Sequence, residues 1–490
     1  MSDSKTKSKT LFSALVWKFC ERMGISCVQF ILQIVLARIL SPEHYGMLSM
    51  MIIFTSLATV FVQRGFNTAL IQNKDVTEDD YSSVFWVSLG IAGIVYVVLF
   101  FSAPLIASFY KMPDIIAPFR ILALMLFPGA LNSVQLAKVS RAMDFRKVFF
   151  GNLAGIIVAG GVGIAIALMG GGLWALVAQN LLNILVACLV MGFMVKLKIR
   201  FVCNLSRVKV LFSYGWKLLV SSLVDTLYQD IRSLFVGKKF NSKTLGYYDR
   251  GKQFPHFIIN AINLTVQSVM LPAMSAEQDD KNQIKKMMRN SITVSSYIIF
   301  PMMAGLAGIA QPLVKLILTD KWLLCVPYMQ IYCFTFAFYP VHSCNLQAIN
   351  AMGRSDIYLK LELLKKSYGM IALIIAVVFF DSPIAIAMTG VFTTVISCFV
   401  NASPNKKLVD YSYFEQMKDI LPSFLASMAM FGCVLAVLLL KLSPIATIAI
   451  QLGIGVMVYL LISVIFSLTP FKLVINILKN LLKKGRKAQI

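Results

Sequence analysis

Apolar runs of 18 residues or more recur from one end of the chain to the other. They cover positions 13–37, 47–67, 83–109, 115–137, 148–169, 173–195, 210–236, 254–272, 291–318, 323–350, 362–380, 383–402, 420–441 and 445–467. At 1.5 Å of rise per residue, each run suits the roughly 30 Å of hydrocarbon in a bilayer. The predicted fold class is an all-α integral membrane protein of about 14 transmembrane helices. No soluble domain interrupts the runs, and the gaps between them are short.

Polar residues are not confined to the gaps. In the first run, Lys18, Arg22, Ser26, Gln29 and Gln33 are spaced by 4, 4, 3 and 4, so they share one face of a helix. Shifted by 199 positions, the same face of the seventh run reads Lys217, Ser221, Asp225, Tyr228 and Arg232. The second run carries Ser56, Thr59, Gln63 and Asn67. Its counterpart in the eighth run, 200 positions on, reads His256, Ile259, Asn263 and Gln267, with Asn260 beside them.

These matches belong to a wider repeat. Trp17-Lys18 returns as Trp216-Lys217, and LSPEHYG (40–46) is echoed by FNSKTLG (240–246). Asn132, Arg141, Phe145 and Lys147 match Asn345, Arg354, Tyr358 and Lys360, all 213 positions on. Six runs per copy is an even number, so both copies start on the same side of the membrane. This is a parallel repeat about an axis along the membrane normal, as in the halves of some secondary transporters. The predicted organisation is a six-helix lobe at 1–200 and a second at 201–410, with two parallel-related lobes around a central cavity. Two extra helices follow at 411–470, and a basic amphipathic tail at 471–490.

Composition sharpens this picture. Hydrophobic residues make up 58% of the 490-residue chain and charged residues 14%, against about 25% charged in soluble domains. The net charge of +24 sits mostly in even-numbered gaps and the tail. The positive-inside rule therefore predicts that both termini are cytoplasmic. The same distribution argues against nucleic acid as a partner, because no basic soluble domain exists to grip a backbone. The gap after the seventh run departs from the rule, with Lys238, Lys239, Lys243, Arg250 and Lys252. The tail KLVINILKNLLKKGRK is predicted to lie along anionic lipid of the inner leaflet.

A charge at mid-membrane costs roughly 2.5–3.5 kcal/mol on insertion scales, so the four stripes are expected to avoid lipid and line a hydrated cavity. Its cations, Lys18, Arg22, Arg64, Lys217, Arg232, Arg250 and Lys252, outnumber Glu21, Asp225 and Asp230. Excess positive charge suits an anion, and arginine suits phosphate because its planar fork donates two parallel hydrogen bonds. The phosphate-binding candidates are Arg22, Arg232, Arg250, Lys18, Lys217 and Arg64. Sugar-binding candidates are Gln29, Gln33, Gln63, Asn67, Asn260, Asn263, Gln267 and Tyr228. Asp225, Glu21 and His256 are the candidates for ion coupling.

Other motifs add less. Gly151, Gly155, Ala159 and Gly163 recur every four residues, a seam that lets helices approach closely. GGVG at 160–163 follows no strand and is not read as a dinucleotide loop. Neither GxxxxGK[ST] nor HExxH occurs, so no nucleotide hydrolysis, catalytic residue, metal or cofactor is expected. The nine cysteines form no CxxC and read as small hydrophobes. Pro104, Pro128, Pro301, Pro312, Pro327 and Pro340 are expected to kink or end helices.

The stretches ARILSPEHYGMLSM (37–50), RGFNTALIQNKDVTEDDYSSVFW (64–86), LGYYDRGKQFP (245–255) and GRSDIYLKLELLKK (353–366) resemble the Wzx-type oligosaccharide flippases. These form the polysaccharide-transport branch of the multidrug/oligosaccharidyl-lipid/polysaccharide exporter superfamily. The resemblance spans nearly all of residues 10–470. It implies a flippase of undecaprenyl-pyrophosphate-linked oligosaccharide repeat units in the bacterial inner membrane, working by alternating access in O-antigen, capsule or exopolysaccharide assembly. It also implies a polymerase and a chain-length regulator of the same pathway as partners, and maps family arginines onto Arg22 and Arg250. The rivals are a multidrug exporter of the same superfamily, which the excess of lysine and arginine opposes, and a membrane-embedded polymerase or ligase, which the short gaps oppose.

Overall fold

A computed structural model describes Trp17 and residues 23–73 and 75–475, with side chains at all of these except 214, 261 and 263–269. Lys18, Glu21, Arg22 and the tail from 476 lie outside the described residues. The described chain is built of helices, and ten of them are long and apolar enough to cross a membrane.

The chain divides into two compact units, Met1–Gly246 and Tyr247–Ile490. The helices of the first are α1 (Met23–Ile39), α2 (Pro42–Gln72), α3 (Glu78–Tyr110), α4 (Pro113–Ala142), α5 (Phe145–Leu168), α6 (Leu173–Val195) and α7 (Leu205–Lys239). Helix α8 (Ser242–Ala276) begins in this unit and continues into the second. The second unit then holds α9 (Lys281–Gly308), the short α10 (Ala310–Leu318), α11 (Asp320–Ala351), α12 (Ser355–Phe379), α13 (Pro383–Val409), α14 (Tyr413–Leu440) and α15 (Pro444–Ile465).

Local chemistry sets the helix ends. Thr77 opens α3 with a capping box, its hydroxyl accepting from the Asp80 amide while Asp80 accepts from the Thr77 amide. Ser412 and Glu415 repeat the device at α14. Pro104 and Pro301 lie inside α3 and α9. Pro128 and Pro340 stand in the first turn after interruptions of α4 and α11, where a missing N–H breaks no helical bond. Pro327 and Pro312 likewise occupy first turns. Helix α2 is interrupted at Arg64 and Gly65, and Gly65 has φ +82, a conformation open to glycine.

Helices α5 and α6 form the most extensive pair in the first unit. A Cβ on Gly155 would stand 2.6 Å from the Asn183 carbonyl oxygen, and one on Gly151 would stand 2.6 Å from Met191 Cγ. The four-residue seam thus brings two backbones together, as small residues do between membrane helices. The second unit is knit by polar bonds as well as by apolar packing. Asn345 and Gln416, both buried, exchange amide hydrogen bonds of 2.8 and 3.0 Å between α11 and α14, and Asn405 adds a third at 2.7 Å. Around α14 and α15, Tyr297, Met430, Val434 and Tyr459 form an apolar cluster. Among the described residues every cysteine is a free thiol, five of them buried.

Candidate functional site

Helix α7 has 35 residues, about 52 Å at 1.5 Å each. Along it Lys217 and Ser221 are exposed, while Asp225, Tyr228 and Arg232 are half-buried. The Arg232 guanidinium lies 5.5 Å from the centre of the Tyr228 ring, a cation–π distance. One residue pair back on the helix, Asp230 accepts a 2.8 Å hydrogen bond from Ser56 Oγ of α2. Asp230 lies two positions from both Tyr228 and Arg232, on the side of α7 away from the stripe, so Ser56 of the α2 stripe meets the back of α7. Further down, Gly65 and Gly215 let the two helices cross. A Cβ on Gly215 would stand 2.7 Å from the Gly65 carbonyl oxygen.

The stripe of α2 divides between neighbours. Ser56 faces α7. Thr59 Oγ1 donates to the Thr55 carbonyl at 2.7 Å, within its own helix. Gln63 packs over Gly129 of α4, its amide nitrogen 2.7 Å from where a Cβ would stand. Asn67 donates to the Ser133 carbonyl at 3.0 Å, and Ser133 Oγ donates back to the Gln63 carbonyl at 3.2 Å. Arg64 is exposed at the break in α2. On α1, Gln29 is exposed and Gln33 half-buried, and Tyr45 donates to the Gln33 carbonyl.

In the second unit, His256 and Asn260 are exposed on α8 and joined by a 3.2 Å contact between the Asn260 amide and the His256 ring. Asn263 and Gln267 stand on the same helix, but their side chains lie outside the described residues. Arg250 is only 5% exposed. Its guanidinium lies 5.3 Å from the Trp322 ring centre, and it also donates to Gln253 Oε1. Tyr247, Tyr248, Tyr328 and Tyr332 pack around this position, Tyr332 donating to Tyr248. Lys252 lies 6.0 Å from the Tyr332 ring centre. On the last turn of α7, Lys238 lies 4.2 Å from the Phe109 ring centre and donates to the Phe109 carbonyl. The basic run that departs from the loop-charge rule is thus largely held against aromatic rings.

A second polar cluster of the first unit lies away from the four stripes. Arg207, at the start of α7, forks onto both carboxylate oxygens of Asp80 at 3.1 and 3.0 Å and reaches the Asp75 carbonyl at 2.8 Å. Asp80 is 4% exposed. Lys138 pairs with Glu78 at 2.6 Å, and Arg141 gathers the carbonyls of Leu70, Ile71 and Asn73. An apolar core of Phe66, Leu70, Tyr81, Val84, Val134, Val208 and Leu211 backs it. The signal available in sequence was TEDD followed by a helix, an acidic first turn that calls for basic partners.

Among the described residues no group of three His, Cys, Asp or Glu is placed to hold a metal ion.

Residues 35–327, more than half of the chain, match the family described as "Polysaccharide biosynthesis protein". The chain belongs to this family. Among curated proteins it is 24% identical over 355 residues to the teichuronic acid biosynthesis protein TuaB of Bacillus subtilis (strain 168), covering 71% of this chain and 73% of that one. It is 21% identical over 391 residues to the lipopolysaccharide biosynthesis protein WzxC of Escherichia coli (strain K12), covering 78% of each. The fold is similar to that of the lipid II flippase MurJ in its inward closed conformation, with a TM-score of 0.69, 13% identity, and coverage of 92% of this chain and 98% of that chain. The family member described here is therefore a multi-pass membrane protein with a transporter fold, related to proteins of polysaccharide biosynthesis.

Proposed function

We propose that this protein flips undecaprenyl-pyrophosphate-linked oligosaccharide repeat units from the cytoplasmic to the periplasmic leaflet of the bacterial inner membrane, for assembly of a surface polysaccharide. The observation that carries this reading is the α7 stripe. A guanidinium held over Tyr228, on the same face as Asp225, lies within a helix long enough to cross the bilayer. Arg232, Arg22 and Arg250 are assigned to the pyrophosphate, with Lys18, Lys217 and Arg64 adding field. Gln29, Gln33, Gln63, Asn67, Asn260, Asn263, Gln267 and Tyr228 are assigned to sugars, and Asp225, Glu21 and His256 to ion coupling. Exposing the stripe first to one side and then to the other is alternating access.

The same reading has α1, α7, α8 and α12 cross alongside the ten strongly apolar helices, giving 14 spans. Polar side chains lower the hydropathy of α7, α8 and α12, and α1 is described only from Met23 to Ile39. It keeps six-helix lobes at 1–200 and 201–410, added helices at 411–470, a basic tail at 471–490, and cytoplasmic termini. A polymerase and a chain-length regulator act on the delivered units.

The test is a flipping assay in reconstituted vesicles with a fluorescent undecaprenyl-pyrophosphate oligosaccharide. Arg232→Ala and Arg22→Ala are each expected to slow translocation by tenfold or more, about 1.4 kcal/mol of lost interaction. Wild-type rates in both variants would remove the stripe from the mechanism.

A further inference from the structure

The segment 196–204, between α6 and α7, is extended and clipped along the first turns of α3. Ser82 and Ser83, both buried, each accept from one strap amide, while their hydroxyls donate chiefly to the Glu78 and Asp79 carbonyls of α3 at 3.0 and 2.7 Å and lie within 3.4 Å of a strap carbonyl. Arg200 N donates to Ser82 Oγ at 3.1 Å and Asn204 N to Ser83 Oγ at 3.0 Å, while the two hydroxyls reach the carbonyls of Lys198 and Val202. Trp86 Nε1 donates to the Arg200 carbonyl at 2.9 Å, and its ring stacks on Phe201 at 5.0 Å. The strap is a fixed element with a defined face.

That face is cationic and greasy together. Lys196, Lys198 and Arg200 are exposed and 196–204 contains no acidic residue; Arg200 is paired with Asp79 of α3, which leaves the two lysines as the cations of this face. Leu197 packs onto the core. Phe201 is 93% exposed and Leu205 68%. The strap starts where α6 ends and lies over the start of α3, both helices of membrane-crossing length and apolarity, so it sits at the boundary of hydrocarbon and water. Aromatic rings and lysines side by side are what an interface between headgroups and acyl chains accommodates.

We propose that the strap is a binding site for one anionic diacyl phospholipid, its phosphate on Lys196 and Lys198 and an acyl chain beside Trp86, Phe201 and Leu205. The complementary charge selects an acidic headgroup over a zwitterionic one, and the stacked rings supply the apolar wall. The inference rests on α3 and α6 crossing the membrane and not on the substrate reading, so the two fail separately.

The experiment uses the full-length protein in phosphatidylcholine nanodiscs, titrated with brominated phosphatidylglycerol while tryptophan fluorescence is read. Subtracting the Trp86→Phe variant isolates the Trp86 signal. Quenching of Trp86 is expected to saturate with phosphatidylglycerol and not with brominated phosphatidylcholine. Affinity is expected to fall about 5-fold for each of Lys196→Gln and Lys198→Gln, and about 25-fold for both. Lys209→Gln, an exposed lysine beyond the strap, is expected to leave it unchanged. Equal quenching by both brominated lipids overturns the proposal, as does an unchanged affinity in the double variant. An equal loss with Lys209→Gln would reduce the effect to general surface charge. Displacement of the brominated lipid by equimolar undecaprenyl pyrophosphate would reassign the strap to the substrate.

Discussion

Gly46 rests on Ser242. A Cβ at Gly46 would stand 1.6 Å from the Ser242 carbonyl oxygen, and one at Gly246 would stand 2.0 Å from the Pro42 carbonyl oxygen. The pairs 46/242 and 246/42 exchange under the 200-residue shift that relates LSPEHYG to FNSKTLG. The first turns of α2 and α8 therefore meet as near equivalents, backbone to backbone, where only glycine fits.

Gly46→Ala is expected to destabilise the protein by about 1–3 kcal/mol, the range for overpacking a tight contact, because a backbone carbonyl cannot rotate away as a side chain can. Gly90→Ala, where nothing stands within 4 Å, is expected to stay within about 0.5 kcal/mol of wild type. Thermal unfolding in detergent, compared between the two variants, reads the difference.

Arg207→Ala leaves the Asp80 carboxylate, 4% exposed, without its forked partner. The expected loss is about 1.5–3 kcal/mol, the range for hydrogen bonds to charged groups, since Arg207 itself is 43% exposed on its side chain. Arg200→Ala breaks an exposed pair with Asp79 at 3.2 Å and is expected to cost about 0–1 kcal/mol. Equal losses in the two variants would count against a special role for the Asp80 end.

Gln416→Leu removes two amide bonds of Asn345, which keeps its bonds to the Val341 carbonyl and the Asn405 amide, and is expected to cost about 0.5–1.5 kcal/mol per bond lost. The double variant with Asn345→Leu is expected to lose less than the sum of the singles, since the two bonds that the pair shares can be lost only once. A double-mutant cycle on unfolding temperature measures the coupling, expected at about 0.5–3 kcal/mol.

Arg250→Lys keeps the charge and removes the planar fork that stacks on Trp322. The exchange is not conservative at a stacked site. Flipping is expected to fall nearly as far in Arg250→Lys as in Arg250→Ala. Full rescue by lysine would mean that charge alone matters there.

Periodicity revealed what periodicity encodes. The apolar runs mark the helices of membrane-crossing length, and small residues every fourth position mark the α5–α6 seam, because both signals lie within one stretch of chain. The three-and-four spacing likewise groups Asp225, Tyr228 and Arg232 on one side of α7. Partners are another matter. That Ser56 meets Asp230, that Asn67 clasps Ser133, and that Arg250 lies among Trp322 and four tyrosines are long-range facts. A single sequence gives the face a residue occupies and not what stands opposite. The strap was illegible for a different reason. Its nine residues have too few apolar positions for a transmembrane signal, and Ser82 and Ser83, which hold it, look like ordinary polar residues at a helix start.

Helix α3 has 33 residues and α7 has 35, each about 50 Å long against about 30 Å of oil. Something like 20 Å of each rod must stand clear of the bilayer or be absorbed by leaning. At one end of that surplus, Arg207 and Asp80 rivet the two rods together. The two rods are thereby pinned at that end, and any change of inclination must pivot about the pair or break it.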